Sequence, residues 1–156
     1  MRVLLIVEHF PPYIGGAEKL FGIIARSYAA LGWKVDVVTT RFDNSLPKFE
    51  RDGNLSIHRI NCKNRYRFSI QAIPKAMKLA ANCDVIQSST YNALIVAKIC
   101  SLLRKKPILI TVHEIWGRVW FKMPYISKLK KWLYFTFERT VLSFGYDRYI
   151  AISTST

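Results

Sequence analysis

Two adjacent glycines, Gly15 and Gly16, separate an apolar run at residues 3–7 from an amphipathic segment that begins at Ala17. The run is typical of a buried strand and the segment of a helix, so the glycines lie at a strand-to-helix turn. Glycines there leave backbone N–H groups bare at the positive end of the helix dipole, which favours a phosphate. A flexible turn without a ligand can have the same residues, and the G-x-G-x-x-G dinucleotide fingerprint is absent. Spacing alone leaves both interpretations open.

His113 and Glu114 directly follow a second apolar run, residues 108–112. A neutral imidazole at the end of a strand can hydrogen-bond a sugar hydroxyl or transfer a proton near neutral pH. The alternative is a loop histidine whose ring bonds only to backbone. His9 follows the first strand and carries the same two interpretations.

Residues 116–139 form a basic and aromatic segment in which Glu138 is the only acid. Its basic residues are Arg118, Lys122, Lys128, Lys130, Lys131 and Arg139. A helix is predicted over 127–144, with a core stripe made by Leu129, Trp132, Leu133, Thr136, Phe137, Val141 and Phe144. Cations and rings outside that stripe suit an anionic membrane surface, where each cation contributes about 1 kcal/mol. Single-stranded nucleic acid and a solvated face with buried rings are the alternatives.

Strands and helices must alternate to position these residues. The apolar patterns predict six strands, at 3–7, 35–39, 55–60, 83–87, 108–112 and 149–152, and helices at 17–31, 73–81, 92–103 and 127–144. Residues 41–54 read as an exposed loop, and Lys63, Arg65 and Arg67 as part of a basic connector. The order predicts an α/β fold, with a Rossmann-like, mostly parallel sheet covered by helices on both faces. Stretches 8–18, 87–92 and 113–124 should meet at the strands' carboxyl ends, where ligands collect.

Composition sets the broad class. The 156 residues, 51% of them hydrophobic, are expected to form one domain, and the net charge of +14 implies an anionic partner. Three scattered cysteines fit neither a zinc site nor a disulfide framework and indicate reduced thiols in the cytoplasm. No secretory signal and no apolar stretch of about 18 residues is found.

Together, these residues resemble the N-terminal half of a GT-B glycosyltransferase of the retaining family 4. The resemblance covers residues 1–156 and rests on Pro11-Pro12-Tyr13-Ile14-Gly15-Gly16-Ala17-Glu18, Asp84-Val85-Ile86, Thr111-Val112-His113-Glu114 and Tyr149-Ile150-Ala151-Ile152-Ser153. It implies an enzyme with two Rossmann-like halves, of which this N-terminal half binds the acceptor. One departure is Gln87-Ser88-Ser89-Thr90, where many relatives carry histidines, and it puts the acceptor contacts there in doubt.

The resemblance also implies roles for individual residues. Gly15 and Gly16 approach the donor diphosphate, and His113, the catalytic candidate, lies beside the transferred sugar. Tyr13 and Glu114 are candidates for acceptor or cleft contacts. The nucleotide sugar is a substrate, and neither a cofactor nor a metal is expected. The C-terminal donor-binding domain and its glutamates are expected to be absent from this chain, so the chain alone should show little or no transfer.

The resulting hypothesis is the acceptor-binding half of a glycosyltransferase on the cytosolic face of a membrane. Its acceptor would be lipid-linked or otherwise amphiphilic, and Lys128, Lys130 and Lys131 would contact the anionic surface. One alternative is a stand-alone subunit that recruits a separate donor-binding chain to the membrane, as in split glycosyltransferases. A basic module that binds nucleic acid is the least favoured reading.

Overall fold

The computed structural model of the protein describes residues 1–62 and 64–152. The strands are β1 Arg2–Ile6, β2 Lys34–Thr40, β3 Phe49–Asp52, β4 Leu55–Ile60, β5 Val85–Ser89, β6 Ile108–Val112 and β7 Arg148–Ala151. The helices are α1 Gly16–Ala30, α2 Arg65–Gln71, α3 Ile73–Ala80, α4 Asn92–Arg104 and α5 Lys128–Leu142, with a 3-10 helix at Gly117–Lys122. Two residues named in the sequence-based predictions, Lys63 and Ser153, lie outside the described residues.

The strands form one sheet in the order β3-β4-β2-β1-β5-β6-β7. Every neighbouring pair is parallel except β3 and β4. This arrangement confirms the predicted α/β, Rossmann-like fold class. The carboxyl ends of β1, β5 and β6 lie side by side at one edge.

The alternation of side chains along β1 divides the core into two layers. Leu4 and Ile6 pack in a cluster with α2, α3, α4 and the end of α5. Val3 and Leu5 face the other side and pack with Phe21 of α1. All of these side chains are at most 1% exposed, which is why the run is apolar at every position rather than at alternate ones.

Helix α1 begins after the glycine pair and packs closely on the loop before it. Gly22 is buried in this contact, and a Cβ atom built there would lie 2.7 Å from Cγ of Pro11. The helix ends as predicted, since Gly32 follows it with a φ of +79°. The contact fixes the path of the loop that leads from β1 to the start of α1.

Two sequence predictions are wrong in local structure. Residues 41–54 were expected to form a loop but contain β3, which pairs antiparallel with β4 through a turn at Gly53. All four residues of β3 are exposed at the sheet edge, so the strand has no apolar pattern to detect. Arg65 and Arg67 belong to helix α2 rather than to a connector, and the Asn64 side chain caps that helix by accepting the Arg67 N–H at 3.0 Å.

Hydrogen bonds between three polar side chains, Arg2, Asp36 and His58, join β1, β2 and β4. Asp36 lies 3.0 Å from Arg2 Nη2 and 3.1 Å from His58 Nε2. Burial alone raises the pKa of Asp36, but hydrogen bonds from His58 and Arg2 outweigh it, so the pKa lies below its usual 3.8.

Asp36→Asn is expected to lower the free energy of unfolding by about 2 kcal/mol at neutral pH, because hydrogen bonds to a charged carboxylate are lost. Since the pKa is lower in the folded state, the wild-type advantage is present above pH 3.8 and is lost as the pH falls through the folded value. Urea denaturation of both proteins across the acid range measures this. A difference that stays constant with pH would contradict it.

Candidate functional site

The carboxyl ends of β1, β5 and β6 and the first turn of α1 enclose a cavity of about 210 Å³, here called the rim cavity. It is lined by Val7, Glu8, His9, Ala17, Glu18, Phe21, Ser89, Thr90, Tyr91, His113 and Glu114. All three stretches predicted to meet at this edge contribute to it. The topology therefore brings two predicted site residues, His113 and Glu114, to the start of α1.

His113 is the most unusual polar group of the rim cavity. Its Nε2 atom is buried and has no hydrogen-bond partner among the described residues. Burial lowers the pKa of His113, and the nearby carboxylates of Glu18 and Glu114 oppose that effect without reversing it. The imidazole is therefore neutral at neutral pH, and its unused nitrogen is available to a hydroxyl or another polar group of a ligand.

The glycine pair lies at the start of α1, as predicted, but does not itself line the rim cavity. Gly15 is the N-cap residue in an extended conformation, and the space around Gly16 is open. The Glu18 carboxylate folds back over Gly15, where an added Cβ atom would overlap it. A side chain therefore occupies the place beside the helix N-terminus that the sequence argument assigned to a phosphate.

Tyr13 lies next to the rim cavity rather than in its lining. Its ring stacks on His9 with centroids 4.2 Å apart and meets the edge of Phe42 at 5.0 Å. His9 lines the cavity, and its Nδ1 lies 2.9 Å from the Thr40 hydroxyl. Tyr13 is 39% exposed, so it can reach a ligand only at the mouth of the cavity.

The first two residues of the 87–92 stretch are buried in the sheet, and the next three line the rim cavity. Gln87 is buried in β5, where it accepts a hydrogen bond from Tyr28 at 3.1 Å and donates to Thr111 at 3.0 Å. Ser88 is also buried and donates to the Ile6 carbonyl at 2.7 Å. These two polar residues hold the sheet together, and Ser89, Thr90 and Tyr91 line the rim cavity.

A second cavity of about 330 Å³, here called the aromatic pocket, adjoins the rim cavity. It is lined by Tyr66, Tyr91, Asn92, Glu114, Trp116, Trp120, Tyr134 and Phe137. Tyr91 and Glu114 line both cavities and so form the boundary between them. The sequence does not reveal this pocket, because its walls come from α2, α4, α5 and the segment after β6, which are far apart along the chain.

Tyr91 has the most unusual backbone of the site. Its φ of 71° and ψ of −127° lie in a region that non-glycine residues rarely adopt. Its hydroxyl donates to Glu138 at 3.2 Å, which holds the ring at the boundary between the cavities. Tyrosine is not a residue type that favours positive φ, so the sequence does not indicate this conformation.

Glu138 organises the wall of the aromatic pocket. It is 3% exposed and accepts hydrogen bonds from the N–H groups of Trp116 at 3.0 Å and Gly117 at 2.6 Å, and from the Trp120 indole at 3.2 Å. Tyr91 supplies a fourth donor. The sequence contains one indication of this role, which is that Glu138 is the only acid in the basic and aromatic segment 116–139.

The predicted core stripe of α5 is wrong at most of its positions, because Thr136 and Phe144 are exposed as well as its first three members. Leu129 is 68% exposed, Trp132 is 56% exposed and Leu133 is 48% exposed. Only the later part of the helix, including Phe137 and Val141, packs on the core. The earlier part of α5 packs on the 3-10 helix, where the ring of Tyr134 lies 5.2 Å from that of Trp120 and the ring of Phe135 lies 5.2 Å from that of Phe121.

The three lysines predicted to contact a membrane lie beside these exposed apolar side chains. Lys128 and Lys130 are exposed, and Lys131 is half-buried, with its Nζ donating to the Phe121 carbonyl at 3.2 Å. None of the described helices has the length and apolarity needed to cross a membrane. Within residues 1–62 and 64–152, no group of three His, Cys, Asp or Glu side chains could hold a metal ion.

Comparison with known proteins identifies a family for this arrangement. A family model described as Glycosyltransferase Family 4 matches residues 14–156. Sucrose-phosphate synthase from Thermosynechococcus elongatus superposes with a TM-score of 0.68 at 20% identity, over 95% of this chain and 41% of that one. HepE from Anabaena, solved in complex with UDP-glucose, superposes with a TM-score of 0.64 at 18% identity, over 99% of this chain and 38% of that one.

These structural similarities show a shared fold. The chain spans less than half the length of either of the two solved proteins, 41% of one and 38% of the other. No curated protein sequence matches the chain significantly.

Proposed function

The chain belongs to glycosyltransferase family 4, and from that premise we propose that it forms the acceptor-side half of a retaining glycosyltransferase that uses a nucleotide sugar. The observation that carries the proposal is the buried Nε2 of neutral His113 in the rim cavity, which has no hydrogen-bond partner among the described residues. A polar atom that is buried away from water without a hydrogen-bond partner raises the free energy of the folded protein, unless a ligand supplies the hydrogen bond. A sugar hydroxyl of the donor supplies the missing hydrogen bond.

The donor diphosphate binds at the start of α1 in this proposal. The N–H groups of Gly15, Gly16 and Ala17 lie at the positive end of the helix dipole, which stabilises the charge of the leaving diphosphate without a metal. Glu18 must turn away from Gly15 to admit the phosphate, and the open space around Gly16 gives the diphosphate an approach. Tyr13 and Glu114 contact the acceptor or the walls of the cleft.

A second Rossmann-like half completes the site by binding the nucleoside, while the diphosphate contacts the start of α1 in this chain. The similarity of this chain to less than half of each solved relative supports such a division. We therefore propose that the 156-residue chain alone transfers sugar slowly or not at all. The second half belongs either to the same polypeptide or to a partner subunit that this chain recruits.

The acceptor in this proposal is amphiphilic and is met at the cytosolic surface of a membrane. Lys128, Lys130 and Lys131 surround exposed Leu129 and Trp132 at the start of α5. Apolar side chains beside cations suit the headgroup region of an anionic bilayer. The protein would then act as a peripheral membrane protein.

Glu18→Gln is expected to raise the affinity of the chain for UDP about fivefold, because like charges roughly 4 Å apart repel by about 1 kcal/mol even in water. The neutral side chain no longer competes electrostatically with the phosphate beside Gly15. Isothermal titration calorimetry with UDP measures the change. UDP is the probe because it is the nucleotide portion of the UDP-glucose bound to HepE.

Asp52→Asn is the matched control for Glu18→Gln, since it removes the same charge from exposed strand β3 at the far edge of the sheet. It should leave the UDP affinity unchanged. Equal effects of the two variants would mean that net charge, rather than a phosphate near Gly15, sets the affinity. Unchanged affinity in Glu18→Gln would remove the diphosphate from the start of α1.

A further inference from the structure

We propose that the aromatic pocket binds a pyranose ring of the acceptor, so that the group receiving the new sugar is itself a sugar rather than a hydrocarbon alcohol. The inference rests on the proposed function, because it uses the rim cavity as the donor side. It assigns to the acceptor a chemical class that the family leaves open.

The lining of the aromatic pocket is suited to a sugar. Six aromatic side chains line it, together with Asn92 and Glu114, and no aliphatic side chain of the described residues contributes. The faces of aromatic rings carry negative potential and attract the C–H groups on one face of a pyranose. The Asn92 amide nitrogen donates to Glu8 at 3.0 Å, so the Asn92 amide oxygen and the Glu114 carboxylate are the groups that can accept from the pyranose hydroxyls. A site for a hydrocarbon chain has no need of either polar group.

The rings are held in place before any ligand arrives. Trp116 and Trp120 lie with centroids 5.4 Å apart, and Trp120 and Tyr134 lie 5.2 Å apart. Glu138 fixes this wall by accepting the Trp120 indole N–H at 3.2 Å and the Trp116 backbone N–H at 3.0 Å. A wall fixed in advance loses little side-chain entropy on binding, which favours a small, rigid ligand such as a monosaccharide unit.

The boundary between the two cavities places the acceptor sugar next to the donor site. Tyr91 and Glu114 line both cavities, and His113 lies on the far side of that boundary in the rim cavity. The Glu114 side chain is exposed and has no hydrogen-bond partner among the described residues, so it is available to a hydroxyl. A pyranose in the aromatic pocket therefore directs a hydroxyl toward the donor sugar.

The strain at Tyr91 supports a functional role for this boundary. Its φ of 71° costs free energy that a simple turn residue such as glycine would avoid. The Tyr91 hydroxyl donates to Glu138, so the side chain on this strained backbone has a fixed position. Backbone strain of this kind concentrates at ligand sites.

Saturation-transfer NMR with octyl glucoside below its micelle concentration, and with the methyl pyranosides of glucose, galactose, mannose and N-acetylglucosamine, tests the inference. The protein is the 156-residue chain, irradiated at its aromatic protons. Ring protons of at least one pyranoside are expected to receive saturation, with binding about fivefold weaker in Trp116→Leu and in Tyr134→Leu. Two variants are used because either could disturb the fold, which the amide spectrum of each one checks.

Trp33→Leu is the matched control, because Trp33 packs beside Tyr28 after α1 and lies outside the pocket lining. It should leave the saturation of the pyranoside rings unchanged. Absence of ring saturation from every pyranoside would overturn the inference. Ring saturation that survives both pocket variants would also overturn it. Saturation that is confined to the octyl chain and is lost in Trp116→Leu would overturn it as well, because the pocket would then bind hydrocarbon.

A UDP titration of the same samples separates this inference from the proposed function. Normal UDP binding without pyranoside binding would remove only the sugar assignment of the aromatic pocket. Pyranoside binding in the pocket without any UDP binding would leave the sugar site standing and would count against the donor site at α1.

Discussion

Replacing Glu138 with alanine is expected to lower the free energy of unfolding by about 3 kcal/mol, since several donors lose their acceptor at once. The carboxylate is 3% exposed and accepts four hydrogen bonds, from Tyr91, Trp116, Gly117 and the Trp120 indole. The loss is smaller than the sum of four bonds because Trp116 and Trp120 are half-buried and can reach water. Urea denaturation followed by far-UV circular dichroism measures it.

Glu138→Gln and Glu114→Ala calibrate that result. Glutamine keeps the size of the side chain and one accepting oxygen, so the free energy of unfolding of Glu138→Gln should lie between those of wild type and Glu138→Ala. Glu114 is exposed and has no hydrogen-bond partner among the described residues, so its replacement should change stability by less than about 0.5 kcal/mol. A Glu138→Ala variant as stable as Glu114→Ala would show that Glu138 does not hold the pocket wall.

Replacing Lys128, Lys130 and Lys131 together with glutamate is expected to weaken binding to anionic vesicles about 100-fold, because each cation near anionic lipid contributes about 1 kcal/mol. Sedimentation with phosphatidylcholine vesicles, with and without phosphatidylserine, measures the change. The exposed Leu129 and Trp132 remain in the variant, so any residual binding reports the apolar contribution.

The matched control replaces Lys48, Lys75 and Lys78, which are exposed elsewhere on the chain, with glutamate. It changes the net charge by the same amount. If the surface at the start of α5 is the docking surface, the control should lose much less affinity than the α5 variant. Unchanged sedimentation of the α5 variant would contradict the proposed membrane surface.

The sheet and the position of the rim cavity could be predicted because they depend on local signals. A run such as residues 3–7 is apolar at every position only if both faces are covered, which implies helices on both sides. Parallel strands then bring their carboxyl ends to one edge, and His113 follows one of those ends. Gly32 marked the end of α1 because only a few residue types accept its positive φ.

The parts that could not be predicted depend on contacts between distant segments. Tyr91 and Glu138 are 47 positions apart, and neither residue type by itself indicates the strained turn or the buried carboxylate. The stripe on α5 correctly indicated an apolar face, but periodicity does not say what covers it. In the structure only Phe137 and Val141 of the stripe pack on the core, and Leu129 and Trp132 stay exposed.

The central claim is that a donor diphosphate binds at the start of α1 beside His113. Amide chemical-shift mapping of the 156-residue chain during a UDP titration tests it most directly. The account predicts that the largest shifts occur at the amides of Gly15, Gly16 and Ala17, together with the His113 ring. Shifts that cluster elsewhere, for example around Arg2 and Lys34 at the opposite end of the strands, with the glycine amides unmoved, would contradict it.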